Sequence, residues 1–202
     1  APDGSQCDGC TVIPIGVERT VNEKMAYEKY WHLLPDFDVV IDSSWEKWSY
    51  ILKMEGKLKA PILALLHAPV NTMYQEYPPV EKKCIVCISQ DQAAHLKALH
   101  NIDSRVCYNG CDTAFYKNSG IPRSDRFLFL ARFSKIKGPL LSIEAAEKTN
   151  SDLDLVGDTS ITNEPDYYHQ CAARCDGSKI KMVGPAMRGE CIHWFSQARC
   201  LL

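Results

Sequence analysis

Arg132, Lys135 and Lys137 stand together in LARFSKIKGP, at the end of an apolar run and directly before a Gly-Pro pair. The whole stretch Phe127–Asn150, FLFLARFSKIKGPLLSIEAAEKTN, reads as a buried strand, a basic loop and a helix opened by Pro139. Cations are disfavoured before a helix, because its first turn already carries partial positive charge. A cluster of them there is what an anion-binding loop needs: a guanidinium fork, a point charge and a helix dipole converging on one place. The competing reading is a solvated basic loop, and it applies best to Lys135.

The elements that must position this loop are legible from periodicity. Short apolar runs predict strands at Thr11–Ile15, Phe37–Ile41, Ile62–Leu66, Cys84–Ile88, Arg105–Tyr108, Phe127–Ala131, Leu153–Val156 and Ile180–Val183. Helical patterns fall at Glu23–Leu34, Trp45–Met54, Asp91–His100, Pro139–Lys148, Pro165–Cys175 and Arg188–Ala198. SSWE and SQDQ read as capping boxes led by Ser43 and Ser89, and Gly177 suits a helix stop. Trp45, Trp48 and Leu52 share one helix face and read as core. Continuous apolar strands alternating with helices imply an α/β chain of parallel sheets. The break near Asn101–Arg105 divides it into two Rossmann-like halves, 1–104 and 105–202. Ligands of open parallel sheets sit outside the carboxyl ends of strands, where the Arg132–Lys137 loop lies.

Composition bounds the rest. The 202 residues are 46% apolar and 24% charged, with a net charge of −2, which is globular and gives no electrostatic case for nucleic acid. No apolar run approaches the roughly 18 residues of a membrane span. The ten cysteines lie mostly within elements and point to a reducing, cytoplasmic setting. Cys84 and Cys87, three apart on a strand, face opposite sides and do not suit one metal; Cys7, Cys10, Cys171 and Cys175 form no required metal pattern either. No metal site is therefore expected. No P-loop, GxGxxG, nucleophile elbow or HExxH is present.

Four segments in order, NGCDTAFYK, LARFSKIKGP, LDLVGD and IKMVGPAMRGECIHWFSQA, resemble the second domain of retaining GT-B glycosyltransferases. DFDVVIDSSW, ILALLHAP and IVCISQDQA resemble strands of the first domain. The resemblance covers essentially the whole chain and implies a shortened GT-B architecture that transfers a sugar from a nucleotide-diphosphate donor to an acceptor. It places Arg132 and Lys137 on the diphosphate, with backbone N–H groups of the helix beginning at Gly138 beside them. Gly110 and Gly157 would approach the donor closely, and Val183 and Gly184 would lie against the nucleobase through their main chain. His67 would face the acceptor and transferred sugar, hydrogen-bonding hydroxyls or moving a proton, where the plain alternative is a structural histidine. Asp42 is either a polar contact or an ordinary strand-end carboxylate. Thr159 stands where relatives carry a second glycine, and Cys111 where they carry valine.

The resemblance implies no catalytic metal and no cofactor beyond the nucleotide sugar. Both ends of the chain read as cut: an opening Gly-rich loop and a donor-sugar glutamate pair of the family are not found. Two alternatives follow, a transferase or a catalytically silent nucleotide-binding module of the same descent. Partners would be the nucleotide sugar, an unknown acceptor and a homo- or hetero-oligomer supplying the missing segments, with peripheral membrane contact left open.

Overall fold

The computed structural model describes residues 9–10, 23–44, 46–70, 84–117, 120–159 and 164–202. The strand expected at Thr11–Ile15 and the side chain of Trp45 lie outside them. The chain forms two compact units, 1–110 and 111–202.

Unit 1 holds strands β1 (Val40–Asp42), β2 (Ile62–Leu66), β3 (Ile85–Cys87) and β4 (Arg105–Val106). They pair in that order, all parallel. Helix α1 (Glu23–Tyr30) runs into a 3-10 turn (Trp31–Asp36), and α2 (Trp48–Met54) and α3 (Gln90–His100) follow. Ile62, Ala64, Leu66, Ile85, Cys87 and Leu96 form the centre of its core. Because β4 adds to β3, the division of the chain falls after Gly110, a few residues beyond the Asn101–Arg105 break.

The α3 start follows its sequence signature. Ser89 accepts a hydrogen bond from the Gln92 amide at 3.0 Å, while Gln92 Oε1 accepts from the Ile88 amide. The second capping box does not form at Ser43. Helix α2 begins only at Trp48, with Lys47 before it in the left-handed region at φ 51°, and the Ser44 hydroxyl accepts the Lys47 amide at 3.1 Å. Glu46 instead accepts the Trp48 indole N–H. Gly177 lies in the turn before the next strand, beyond the end of its helix, at φ 73°.

Unit 2 holds β5 (Phe127–Leu130), α4 (Pro139–Thr149), β6 (Leu153–Val156), α5 (Pro165–Ala172), β7 (Ile180–Gly184), α6 (Arg188–Gln197) and β8 (Cys200–Leu201). The sheet order is β7-β6-β5-β8, all parallel. The chain thus winds outward from β5, then returns to its other side, so the strand order reverses at β5. That reversal opens a crevice at the carboxyl ends of the strands, the usual ligand position in such sheets. Helices α3 and α4 both end on an asparagine in the left-handed region, Asn101 at φ 53° and Asn150 at φ 51°. Asparagine is the commonest residue after glycine at that cap.

The amino-terminal edge of the second sheet is clasped by Arg126. Its guanidinium donates to both Asp154 oxygens at 2.8 Å and to Asp152 at 3.0 Å, and reaches the Leu153 and Lys179 carbonyls. Those hydrogen bonds raise its pKa further. Removing it leaves two carboxylates at a half-buried edge without their cation, so Arg126→Ala is expected to lower stability by about 2 kcal/mol in urea unfolding.

Cys87, Cys107, Cys111, Cys171, Cys175, Cys191 and Cys200 are not in disulfides. Burial pushes the Cys171 thiol from 9.0 up to about 11, and the neighbouring Cys175 adds to it. The unfolded chain therefore releases this proton before the folded one. Stability contributed by the buried thiol is fully present below pH 9 and declines as pH rises toward 11. Native-state alkylation at pH 8 is expected to leave Cys171 unmodified while the exposed Cys107, Cys111 and Cys200 react, read by peptide mass spectrometry.

Candidate functional site

The loop after β5 is anchored by one aromatic peg. Phe133 is fully buried, with its ring edge-on to Phe129 at 5.8 Å and to Tyr168 at 5.2 Å between centroids. With Phe133 pointing inward, Arg132, Lys135 and Lys137 are left exposed to solvent. Phe133 and Ser134 are both buried, and the Phe-Ser pair set between Arg132 and Lys135 is the sequence signal of that inward turn.

Gly157 makes the peg possible. It lies at φ 152°, and a Cβ there would collide with the Ala131 carbonyl oxygen and stand 3.3 Å from the Phe133 ring. Its close approach is thus to the end of β5. The contact brings three strand ends together: Ala131 N–H donates to the Val156 carbonyl at 3.1 Å, Phe133 N–H to Asp158 at 2.7 Å, and Gly157 N–H to Gly184 at 2.8 Å. At the end of β7 the register skips Val183, pairing Val156 with Gly184. The bulge leaves Val183 half-exposed and Gly184 at φ 97° with open space beside it. Bulges of this kind re-aim side chains beside sites. Arg132, Gly157, Val183 and Gly184 therefore lie at one carboxyl edge of the sheet.

The helix start differs from that reading. Gly138 takes the left-handed conformation at φ 70°, a natural glycine position, but its amide and that of Lys137 both donate to the Ser134 carbonyl, at 3.1 and 3.0 Å. Pro139 has no N–H, the Leu140 amide faces the Tyr167 hydroxyl, and Leu141 and Ser142 donate to Gly138. The first turn is satisfied by these contacts, so side-chain charge and the dipole, rather than free amides, would attract an anion here. The Lys135 amide leans toward Glu164 at 3.4 Å. The Ser134 hydroxyl is the one buried side-chain oxygen or nitrogen among the described residues without a hydrogen-bond partner.

Gly110 is not a tight position: its φ is not in the left-handed region and nothing stands within 4 Å of where a Cβ would be. In unit 1, His67 is exposed just past β2 and lines a cavity of about 370 Å³ with Ser89, Asp91, Gln92 and His95. Gln92 fixes its wall, donating to the Ala68 carbonyl at 2.7 Å. Asp42 takes no part in it. It is buried, accepts the Ser44 amide at 2.8 Å and the Ser44 and Ser49 hydroxyls, and has the buried Lys47 ammonium 4.0 Å away. It is a structural strand-end carboxylate. Among the described residues, no group of three or more His, Cys, Asp or Glu is arranged to hold a metal ion. No described helix is long and apolar enough to cross a membrane.

No family model and no curated protein matches the chain. Solved structures do. A glycosyltransferase from Rickettsia africae superposes with TM-score 0.64 at 19% identity over 88% of this chain and 53% of its own. AviGT4, a glycosyltransferase of avilamycin A biosynthesis, gives 0.65 at 23% over 98% and 53%. Anabaena HepE, solved with UDP-glucose, gives 0.65 at 16% over 87% and 55%. The two parallel-sheet units thus have the GT-B glycosyltransferase fold, and the chain spans about half the length of these structures.

The contact at Gly157 generates a sharp test. Gly157→Ala is expected to cost at least about 3 kcal/mol, because both its φ and its space exclude a methyl group. Urea unfolding monitored by tryptophan fluorescence measures it, and a loss under 1 kcal/mol, by the same scale, would contradict the geometry.

Proposed function

We propose that this chain is the nucleotide-sugar-handling part of a retaining glycosyltransferase, binding a sugar nucleotide through unit 2. The observation that carries the proposal is the Arg132–Gly138 loop: exposed cations and an unpartnered buried hydroxyl at the strand-order reversal of a GT-B-type sheet. The likeness to a structure solved with UDP-glucose supports a nucleoside-diphosphate sugar as donor.

In this reading, Arg132 grips the diphosphate as a fork and Lys137 as a point charge. As the bond to the sugar breaks, negative charge accumulates on the leaving diphosphate, and two fixed cations stabilise it more than they stabilise the bound substrate. The sugar passes through an oxocarbenium-like transition state. Retention rests on the motif set rather than on the geometry. Val183 and Gly184 offer main-chain contacts to the base, Gly157 shapes the floor, and His67 is the residue proposed to serve the sugar or acceptor. The chemistry needs no metal in this scheme, since the cations do the electrostatic work. Cys87, Cys107, Cys111, Cys171, Cys175, Cys191 and Cys200, none of them in a disulfide, fit a reducing, cytoplasmic location.

Calorimetric titration with UDP, GDP, ADP and UDP-glucose tests this. One diphosphate is expected to bind with 1:1 stoichiometry, and Arg132→Ala or Lys137→Ala to weaken it by at least about tenfold each. Binding should also fall with added salt, because both cations are exposed. A folded wild-type chain that binds none of the four would overturn the proposal. Binding without transfer or hydrolysis would leave the silent nucleotide-binding module.

A further inference from the structure

Unit 2 carries a second, larger concavity that takes no part in the loop after β5. It encloses about 620 Å³ and is walled by Tyr116, Phe195 and Ile192, with Lys117 and Arg123 at its polar side and Cys111 at its margin. Such a volume, with mostly apolar walls and a few polar groups, is of the size that holds a small organic ligand.

The walls are built rather than accidental. Asp112 Oδ1 accepts the Ala114 and Phe115 amides, at 3.1 and 2.9 Å, and its carbonyl accepts the Tyr116 amide at 2.9 Å. That turn presents Tyr116 edge-on to Phe195 of α6, with centroids 6.4 Å apart. Behind it, Arg188 stacks on Phe115 at 4.6 Å and pairs with Asp112 at 3.9 Å, tying the turn to the start of α6.

Charge decides the ligand. Arg188 and Arg199 each have an aspartate partner, Asp112 and Asp125. Among the described residues, Lys117 and Arg123 have no carboxylate partner and no acid lines the cavity. Two exposed cations beside two aromatic rings are complementary to a flat ring bearing a negative group. We propose that this cavity binds a planar aromatic anion, its ring against Tyr116 and Phe195 and its acidic group between Lys117 and Arg123.

The probe is 8-anilinonaphthalene-1-sulfonate, titrated into the full folded chain by fluorescence. One saturable site is expected, weakened about tenfold by Phe195→Ala and by the double substitution Lys117→Gln/Arg123→Gln, and weakened by salt. Saturating probe should slow alkylation of Cys111 by iodoacetamide and leave Cys200 unaffected. Arg132→Ala and Lys137→Ala should leave the probe's affinity unchanged, which separates this site from the sugar-nucleotide proposal. The inference is overturned by any of three results: non-saturable binding, equal binding by the double variant, or loss on substituting Arg132 or Lys137. The double variant changes only exposed side chains, so it decides the matter even where Phe195→Ala disturbs the fold, as checked by circular dichroism.

Discussion

The second unit depends on a contact that only a residue without a side chain can make: Gly157 lying against the Ala131 carbonyl. The Cβ of any other residue would occupy the space of that oxygen, and the ends of β5 and β6 would have to part. With glycine there, the Phe133 amide reaches Asp158 and the Gly157 amide reaches Gly184, so the pairing of β5, β6 and β7 runs past their formal ends. The Phe133 ring then fills the space beneath, and everything following it in the chain is turned outward. The exposure of Arg132, Lys135 and Lys137 is therefore a consequence of backbone packing two strands away. Charged loops are usually held by their own hydrogen bonds. This one is held largely by a buried ring and a missing methyl.

The two edges of that sheet are built on opposite principles. At the amino-terminal edge, Arg126 satisfies two carboxylates and several carbonyls, so charge is neutralised where it stands. At the carboxyl edge, among the described residues, the cations outnumber their partners and the Ser134 hydroxyl has none. A structure that can neutralise its charges locally, and does so on one side, leaves them open on the other only at some cost in self-repulsion. The proposed diphosphate would remove that cost. Because the Lys137 and Gly138 amides are already engaged with Ser134, the proposed attraction would reside in side-chain charge, which responds more steeply to salt than amide donors would.

Much of this was legible in the sequence, for reasons that differ by element. Strands such as Ile62–Leu66 and Leu153–Val156 appear where apolar periodicity places them, because a parallel strand buried on both faces must read as a continuous apolar run. Ser89 caps α3 through contacts within four residues, so the local pattern suffices. SSWE carries the same pattern and fails, because Ser44 and Ser49 are drawn instead to Asp42 and Lys47 turns left-handed to bury its ammonium; that competition is invisible in four letters. The caps at Asn101 and Asn150 need positive φ, which asparagine permits without announcing it. Gly110 and Gly157 looked alike as glycines after strands. One proves open and the other indispensable, since the difference lies in residues distant along the chain.

Burial separates the two polar residues that follow strands in unit 1. Asp42 and His67 each sit at a carboxyl end, the place where parallel sheets collect ligands. A carboxylate has about four acceptor positions, and Asp42 commits them to an amide, two hydroxyls and a nearby ammonium, all within a dry interior. Releasing one to meet a ligand would leave a buried donor unpaired, which costs more than the new contact returns. Among the described residues, His67 carries no such commitment and is exposed beside a wall that Gln92 fixes by joining the ends of β2 and β3. The same strand position thus becomes scaffold in one case and available chemistry in the other, and hydrogen-bond saturation, more than location, decides which.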